Sequence, residues 1–170
     1  LRQGDNPYFA KAIVNRVWAN YFGIGIINPT DDMNLANAPS NAELLDELAK
    51  GFIHSGYDLK WLSREITTSD AYQRSMDTNA SNEHDDHNFA RHVPRRLPAE
   101  VIHDAVLLAT HSSKEADRMR GEMEKMAIAN GVTQNRNNRS FALQVFGQSE
   151  RESNCDCDRS DSPSLLQSIY

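Results

Sequence analysis

The feature that most constrains this chain is a helical stripe close to its start. Phe9, Ile13, Val17 and Tyr21 recur every fourth residue, and Ala12, Val14 and Trp18 widen the face. That spacing is close to the turn of an α-helix, so these side chains share one side of a rod that has to be buried. Asp5 or Asn6 can cap its start, Pro7 suits a first helical turn, and Gly23 and Gly25 end it. An aromatic stripe can line a cofactor pocket, but burial in a core is the commoner use of such a face.

The rest of the chain supplies elements to cover that rod. Residues 24–39 read as an irregular connection carrying Pro29 and Pro39; its adjacent Asp31 and Asp32 suit turns and caps, with cation binding the alternative. Ser40 and Glu43 have the spacing of a capping box ahead of a helix with Leu44, Leu45, Leu48, Phe52 and Ile53 on one face and Gly56 past its end. Asp58 caps a third helix bearing Leu59, Trp61, Leu62 and Ile66, close enough in sequence to form an αα-hairpin with the second. Pro98 and Glu100 open a fourth helix packed through Val101, Ile102, Ala105, Val106, Leu108 and Ala109. Ser112 or Ser113 starts a fifth that runs to about Ala129, with Met119, Met123 and Met126 as a flexible apolar edge. Asn130-Gly131 stops it. Phe141 to Phe146 is a short apolar run of strand or helix, and Ser162-Pro163-Ser164 starts a last helix with Leu165, Leu166 and Ile169 inward.

These patterns predict an all-α fold: one irregular multi-helix domain over residues 1–170, with loops at 73–96 and 131–140. The chain starts at Leu1 without Met and stops at Tyr170 inside an incipient helix, as expected of a fragment of a larger protein. With 18 Lys and Arg against 24 Asp and Glu, the net charge is −6. The densest basic stretch, Arg91 to Arg96, is short, so a nucleic-acid partner is not expected. No apolar run approaches the ~20 residues that span a bilayer, so no membrane span is expected either.

Reactive chemistry is sparse. The only two cysteines, Cys155 and Cys157, stand one residue apart among carboxylates. They are candidate metal ligands, a redox pair or a folding staple. A closed zinc site needs about four ligands, and the remainder would have to come from His or carboxylate. Asp156 and Asp158 disfavour a thiolate between them, which weakens the case for a poised nucleophile. Arg151, Asp158 and Arg159 are candidate ligand contacts, with Arg151 and Arg159 suited to binding an acidic sugar. His84-Asp85-Asp86-His87 with His92 offers imidazoles near carboxylates, with a solvated acidic loop as the plainer reading. Glu100 and His103 share a helix face, but a di-iron bundle needs a second such pair, which is missing; a Glu at a helix start is also explained by the helix dipole. There is no Gly-x-Ser-x-Gly elbow, phosphate-binding loop or His-Glu-x-x-His helix, and the thiol spacing is not the Cys-x-x-Cys-His of c-type haem attachment. Asn79-Ala80-Ser81 and Asn138-Arg139-Ser140 match the N-glycosylation pattern, which is short enough to recur by chance.

Several stretches taken in order carry a family resemblance. They are Asn6-Pro7-Tyr8-Phe9 through Trp18-Ala19-Asn20-Tyr21-Phe22-Gly23, then Pro39-Ser40-Asn41, Gly56-Tyr57-Asp58-Leu59-Lys60 and Arg95-Arg96-Leu97-Pro98-Ala99-Glu100. Phe146-Gly147, Arg151-Glu152-Ser153-Asn154-Cys155-Asp156-Cys157-Asp158-Arg159-Ser160 and Ser162-Pro163-Ser164-Leu165 complete the set. The chain resembles the planctomycete domain of unknown function DUF1553, which ends large secreted proteins that often carry a cytochrome-c-like domain and DUF1549 upstream. The resemblance implies an extracytoplasmic location, periplasmic or secreted, with the other domains of the same polypeptide as partners. It implies no cofactor in this chain; haem c would belong to an upstream domain. The stretch Ser112 to Asn138 departs from the family pattern by being longer and more charged. Because the family has no established reaction, no catalytic residue follows. The expectation is a non-catalytic structural or interaction module, linked to cytochrome-type electron transfer or polysaccharide breakdown. The alternative is a metal-binding or thiol-redox part of an enzyme using Cys155 and Cys157.

Overall fold

A computed structural model describes residues 6–85, 87–130 and 141–147. The protein is all-α, with no strand among the described residues. It forms two compact units, Leu1–Arg95 and Arg96–Tyr170.

The first unit holds α1 (Pro7–Phe22), α2 (Ala42–His54) and α3 (Leu59–Thr68), each packed on the other two. Asn6 caps α1: its side-chain oxygen accepts the amides of Tyr8 at 3.0 Å and Phe9 at 3.3 Å, groups that have no partner within the helix. Gly23, at φ 85°, ends it with its N–H on the Ala19 carbonyl at 2.8 Å. The stripe expected from the sequence is present but rotated by one position. Ala10, Val14 and Trp18 are the buried residues, whereas Phe9, Ile13, Val17 and Tyr21 are half-buried.

Asn15 explains the rotation. It is fully buried; its Nδ2 donates to the carbonyls of Ile27 and Thr30, both at 2.9 Å, and its Oδ1 accepts the Ile27 amide at 2.9 Å. Those three bonds dock the connection after α1 against the helix and carry Ile26 and Ile27 into the core. Gly25 is required there, because a Cβ would stand 2.9 Å from both polar atoms of the Asn15 amide. Ile26 in turn accepts the Ser40 amide at 2.8 Å and the Ser40 hydroxyl at 3.1 Å, which sets the start of α2.

Ser40 is thereby spent on the core, so the expected capping box with Glu43 does not form. Asn41 is the cap instead, with its Oδ1 on the Leu44 amide at 3.0 Å. At the far end of α2 the Gly56 amide bonds to Ile53 at 3.0 Å and the Tyr57 amide to Phe52 at 2.9 Å, with Gly56 at φ 74°. This is a Schellman closure. Asp58 caps α3 through the Lys60 amide at 2.8 Å. Leu45, Ala49 and Phe52 of α2 meet Leu62 and Ile66 of α3 and the α1 face in one core, each large apolar side chain stabilising it by about 1.5–3 kcal/mol. Ile53, expected inside, is exposed. Gly51 lets the Trp61 ring lie against α2, since a Cβ there would sit 2.8 Å from Cζ2 of that ring.

The second unit holds α4 (Ala99–Thr110), α5 (Ser113–Gly121), a 3₁₀ turn at Met123–Lys125, α6 (Ala127–Asn130) and α7 (Phe141–Val145). Among the described residues Ala99, Ala127 and Leu143 form a core cluster, with Phe146 against them. A capping box does occur here: the Ser112 hydroxyl accepts the Glu115 amide at 3.4 Å and donates to the Glu115 carboxylate at 2.7 Å. The fifth helix stops at Gly121 instead of running to Ala129, and Glu122 leaves helical geometry at φ −115°, ψ 41°. Glycine is a weak helix former, and farther on the amides of Ala127 and Ile128 bond to Asp104 of α4. Met126 is buried while Met123 is exposed, so the methionines do not make one continuous edge. The run from Phe141 is helical.

Asn15→Ala is expected to cost about 2–4 kcal/mol, since it orphans buried backbone groups of Ile27 as well as deleting three bonds. A urea titration should show a lower midpoint with an unchanged slope.

Candidate functional site

The polar segment after α3 wraps the C-terminal end of α1 and builds an aromatic cluster there. Trp18 stacks on Phe22 with centroids 4.1 Å apart, and Phe89 meets both edge-on, at 5.1 Å from Trp18 and 5.0 Å from Phe22. Tyr72 packs on Tyr21 at 5.6 Å and Phe22 at 5.8 Å, with the His92 ring 6.1 Å beyond it. Phe22, Ile24, Asp85, Phe89, Arg91, His92 and Val93 line a shallow depression on this cluster.

Asp85 organises the depression. One carboxylate oxygen accepts the amides of His87 at 3.1 Å and Asn88 at 2.8 Å and the Asn88 side chain at 2.9 Å; the other accepts the Ala90 amide at 3.1 Å. Four donors bend the chain tightly enough to hold Phe89 at φ 54° and turn its ring onto Trp18. The Asn88 amide first, then those of His87 and Ala90 and the Asn88 side chain, hold the Asp85 carboxyl below its usual range, against a smaller opposing desolvation. Arg91 is spent on the carbonyls of Asn82 at 3.2 Å and Glu83 at 3.4 Å, and Arg74 on that of Ala90 at 3.1 Å. Arg95 reaches back to the Ala19 carbonyl at 3.2 Å and to that of Asn20, a cation at the negative end of the α1 dipole.

In the second unit the inward face of α4 is acidic. Glu100 and Asp104 are buried, whereas Ala105, Val106 and Ala109, expected to pack, are exposed. Asp104 accounts for the reversal: its two oxygens accept the amides of Ala127 at 3.0 Å and Ile128 at 2.9 Å, so it ties α6 to α4, and His103 Nδ1 lies 3.3 Å from it. Among the described residues the Glu100–His103 spacing belongs to no group of three or more His, Cys, Asp or Glu that could hold a metal ion.

Of the residues singled out in the sequence, Cys155, Cys157, Arg151, Asp158 and Arg159 lie outside the described residues. His84 and His87 are exposed, and Asp31 pairs with Arg16 at 2.7 Å while Asp32 accepts the Asn34 amide at 3.4 Å within the turn. Among the described residues no group of three or more His, Cys, Asp or Glu comes together to hold a metal ion. Also among them, no helix is long and apolar enough to cross a membrane. Asn15 and Asp104 were not singled out, although a polar residue inside an apolar helical run is a visible signal at both positions, and Asp85 was weighed only as a carboxylate of the His84–His87 cluster.

A family model described as a protein of unknown function, DUF1553 (PSD1), matches residues 1–170, the whole chain. The chain therefore belongs to that family. No curated protein and no solved structure matches it.

Two outcomes are expected of the carboxylates. Asp85 should titrate by NMR below the ordinary value of about 3.9. Because its folded value is depressed, the stability it lends is present above the unfolded value and is lost as pH falls through the folded one. Asp85→Ala should thus lower the urea midpoint at neutral pH, with the gap to the native chain closing in acid. Asp104→Ala should cost about 1.5–3 kcal/mol and remove hydrogen-exchange protection at the Ala127 and Ile128 amides.

Proposed function

We propose that this chain is a non-catalytic module that organises or docks the other domains of a larger exported protein. The observation that carries the reading is how its principal hydrogen-bonding side chains are used. Asn15, Arg95 and Asp104 direct their side chains to backbone groups of segments distant in sequence, and Asp85 and Arg91 direct theirs to backbone groups of their own loop. A reaction centre needs a base, acid or nucleophile aimed at open space, and these groups are aimed at the chain itself. The ordered motifs of the family support an extracytoplasmic location, with haem c in an upstream domain and a task in electron transfer or polysaccharide breakdown performed by the whole protein.

Cross-linking mass spectrometry on the intact polypeptide is expected to return links from this module to its neighbouring domains, and deleting the module should lower the thermal midpoint of those domains. The isolated chain should leave glycan and peptide substrates unchanged. Turnover by this chain, lost in Cys157→Ser, would sink the proposal and favour the thiol or metal reading.

A further inference from the structure

Residues 77–81 read Asp-Thr-Asn-Ala-Ser, and all five are exposed on the polar segment between α3 and α4. Their local geometry is specific. The Asn79 side-chain oxygen accepts the Ser81 amide at 2.9 Å, the Ser81 hydroxyl at 2.6 Å and the Asn82 amide at 3.1 Å. An amide oxygen facing three donors settles which end of the side chain is nitrogen. No hydrogen bond among the described residues engages that nitrogen, Nδ2. The turn is closed by the amides of Asn82 at 3.1 Å and Glu83 at 3.0 Å on the Asn79 carbonyl, and by the Asn79 amide on the Asn82 side chain at 2.7 Å.

We propose that Asn79 is an acceptor for N-linked glycosylation, taking an oligosaccharide from a polyprenyl-pyrophosphate donor. The inference rests on the reading of the protein as exported, since that is where it would meet such a donor. The pattern Asn-x-Ser alone is weak; what adds weight is the arrangement around it. Donors on Oδ1 stabilise negative charge on oxygen, so Nδ2 can give up one proton to a base on the transferase. Its lone pair then forms the bond to the anomeric carbon of the sugar. The bond from that carbon to oxygen breaks with its electron pair, and the polyprenyl pyrophosphate departs. Nothing is oxidised or reduced. Asp77 presents an exposed carboxylate two residues ahead of the acceptor, whereas Arg136 holds the equivalent place before Asn138. A transferase that requires a carboxylate at that place therefore separates the two sites.

The test is transfer in vitro to the folded chain by an oligosaccharyltransferase of that requirement, with its lipid-linked donor, read by glycopeptide mass spectrometry. The expected result is a mass gain of one donor oligosaccharide on the peptide bearing Asn79 and none at Asn138. Asn79→Gln, Ser81→Ala and Asp77→Ala should each abolish the gain, and Ser81→Thr should keep it. Modification of a free peptide spanning 75–84 with none on the folded chain would overturn the proposal, as would a gain that survives Asn79→Gln. Protein recovered from its own cells in the cytoplasm and bare, but modified at Asn79 in vitro, would uphold the acceptor site and refute only the export reading.

Discussion

The amide of Asn15 is the contact on which the first unit depends. A fully buried amide is costly unless each of its groups is paired, and here pairing requires Ile27 and Thr30 to lie against the middle of α1. Once they do, Ile26 is delivered to the core and Ser40 to Ile26, and α2 begins at a defined place. The α2–α3 hairpin can then close over the same face. A single polar side chain thus converts an amphipathic helix, which would bury its stripe against any apolar surface, into one that accepts a particular partner arrangement.

The second unit uses the same device on a smaller scale. Asp104 holds two amides of a neighbouring short helix. Asp85 repeats the pattern outside the helices, where four donors on one carboxylate take the place of regular secondary structure.

Much of the first unit was legible in the sequence because it follows local rules. The caps at Asn6 and Asp58, the stop at Gly56 and the αα-hairpin each depend on residues a few positions apart. The errors arose where distant segments compete for a group. Ser40 looks like a cap partner for Glu43 until Ile26 claims it, and the stripe on α1 shifts because a loop docks through Asn15. On α4 the hydrophobic pattern pointed to Val106 and Ala109, but two amides 23 and 24 residues away draw Asp104 inward instead. Periodicity records the average preference of a face for burial and carries no information on such long-range pairings. Of the site expectations, the turn role of Asp32 followed from local chemistry, whereas Asp31 is drawn to Arg16 of α1 and the grip of Asp85 on residues 87–90 was hidden in what looked like a solvated acidic loop.

Gly51 and Trp61 have a consequence for how the family can vary. The indole occupies the space where a side chain at position 51 would begin, so the two positions share one volume. A larger residue at 51 can be admitted only if the ring at 61 shrinks or the two helices separate. Substitutions at these sites should therefore be inherited as pairs, and their joint identity in a relative reports the spacing of its hairpin.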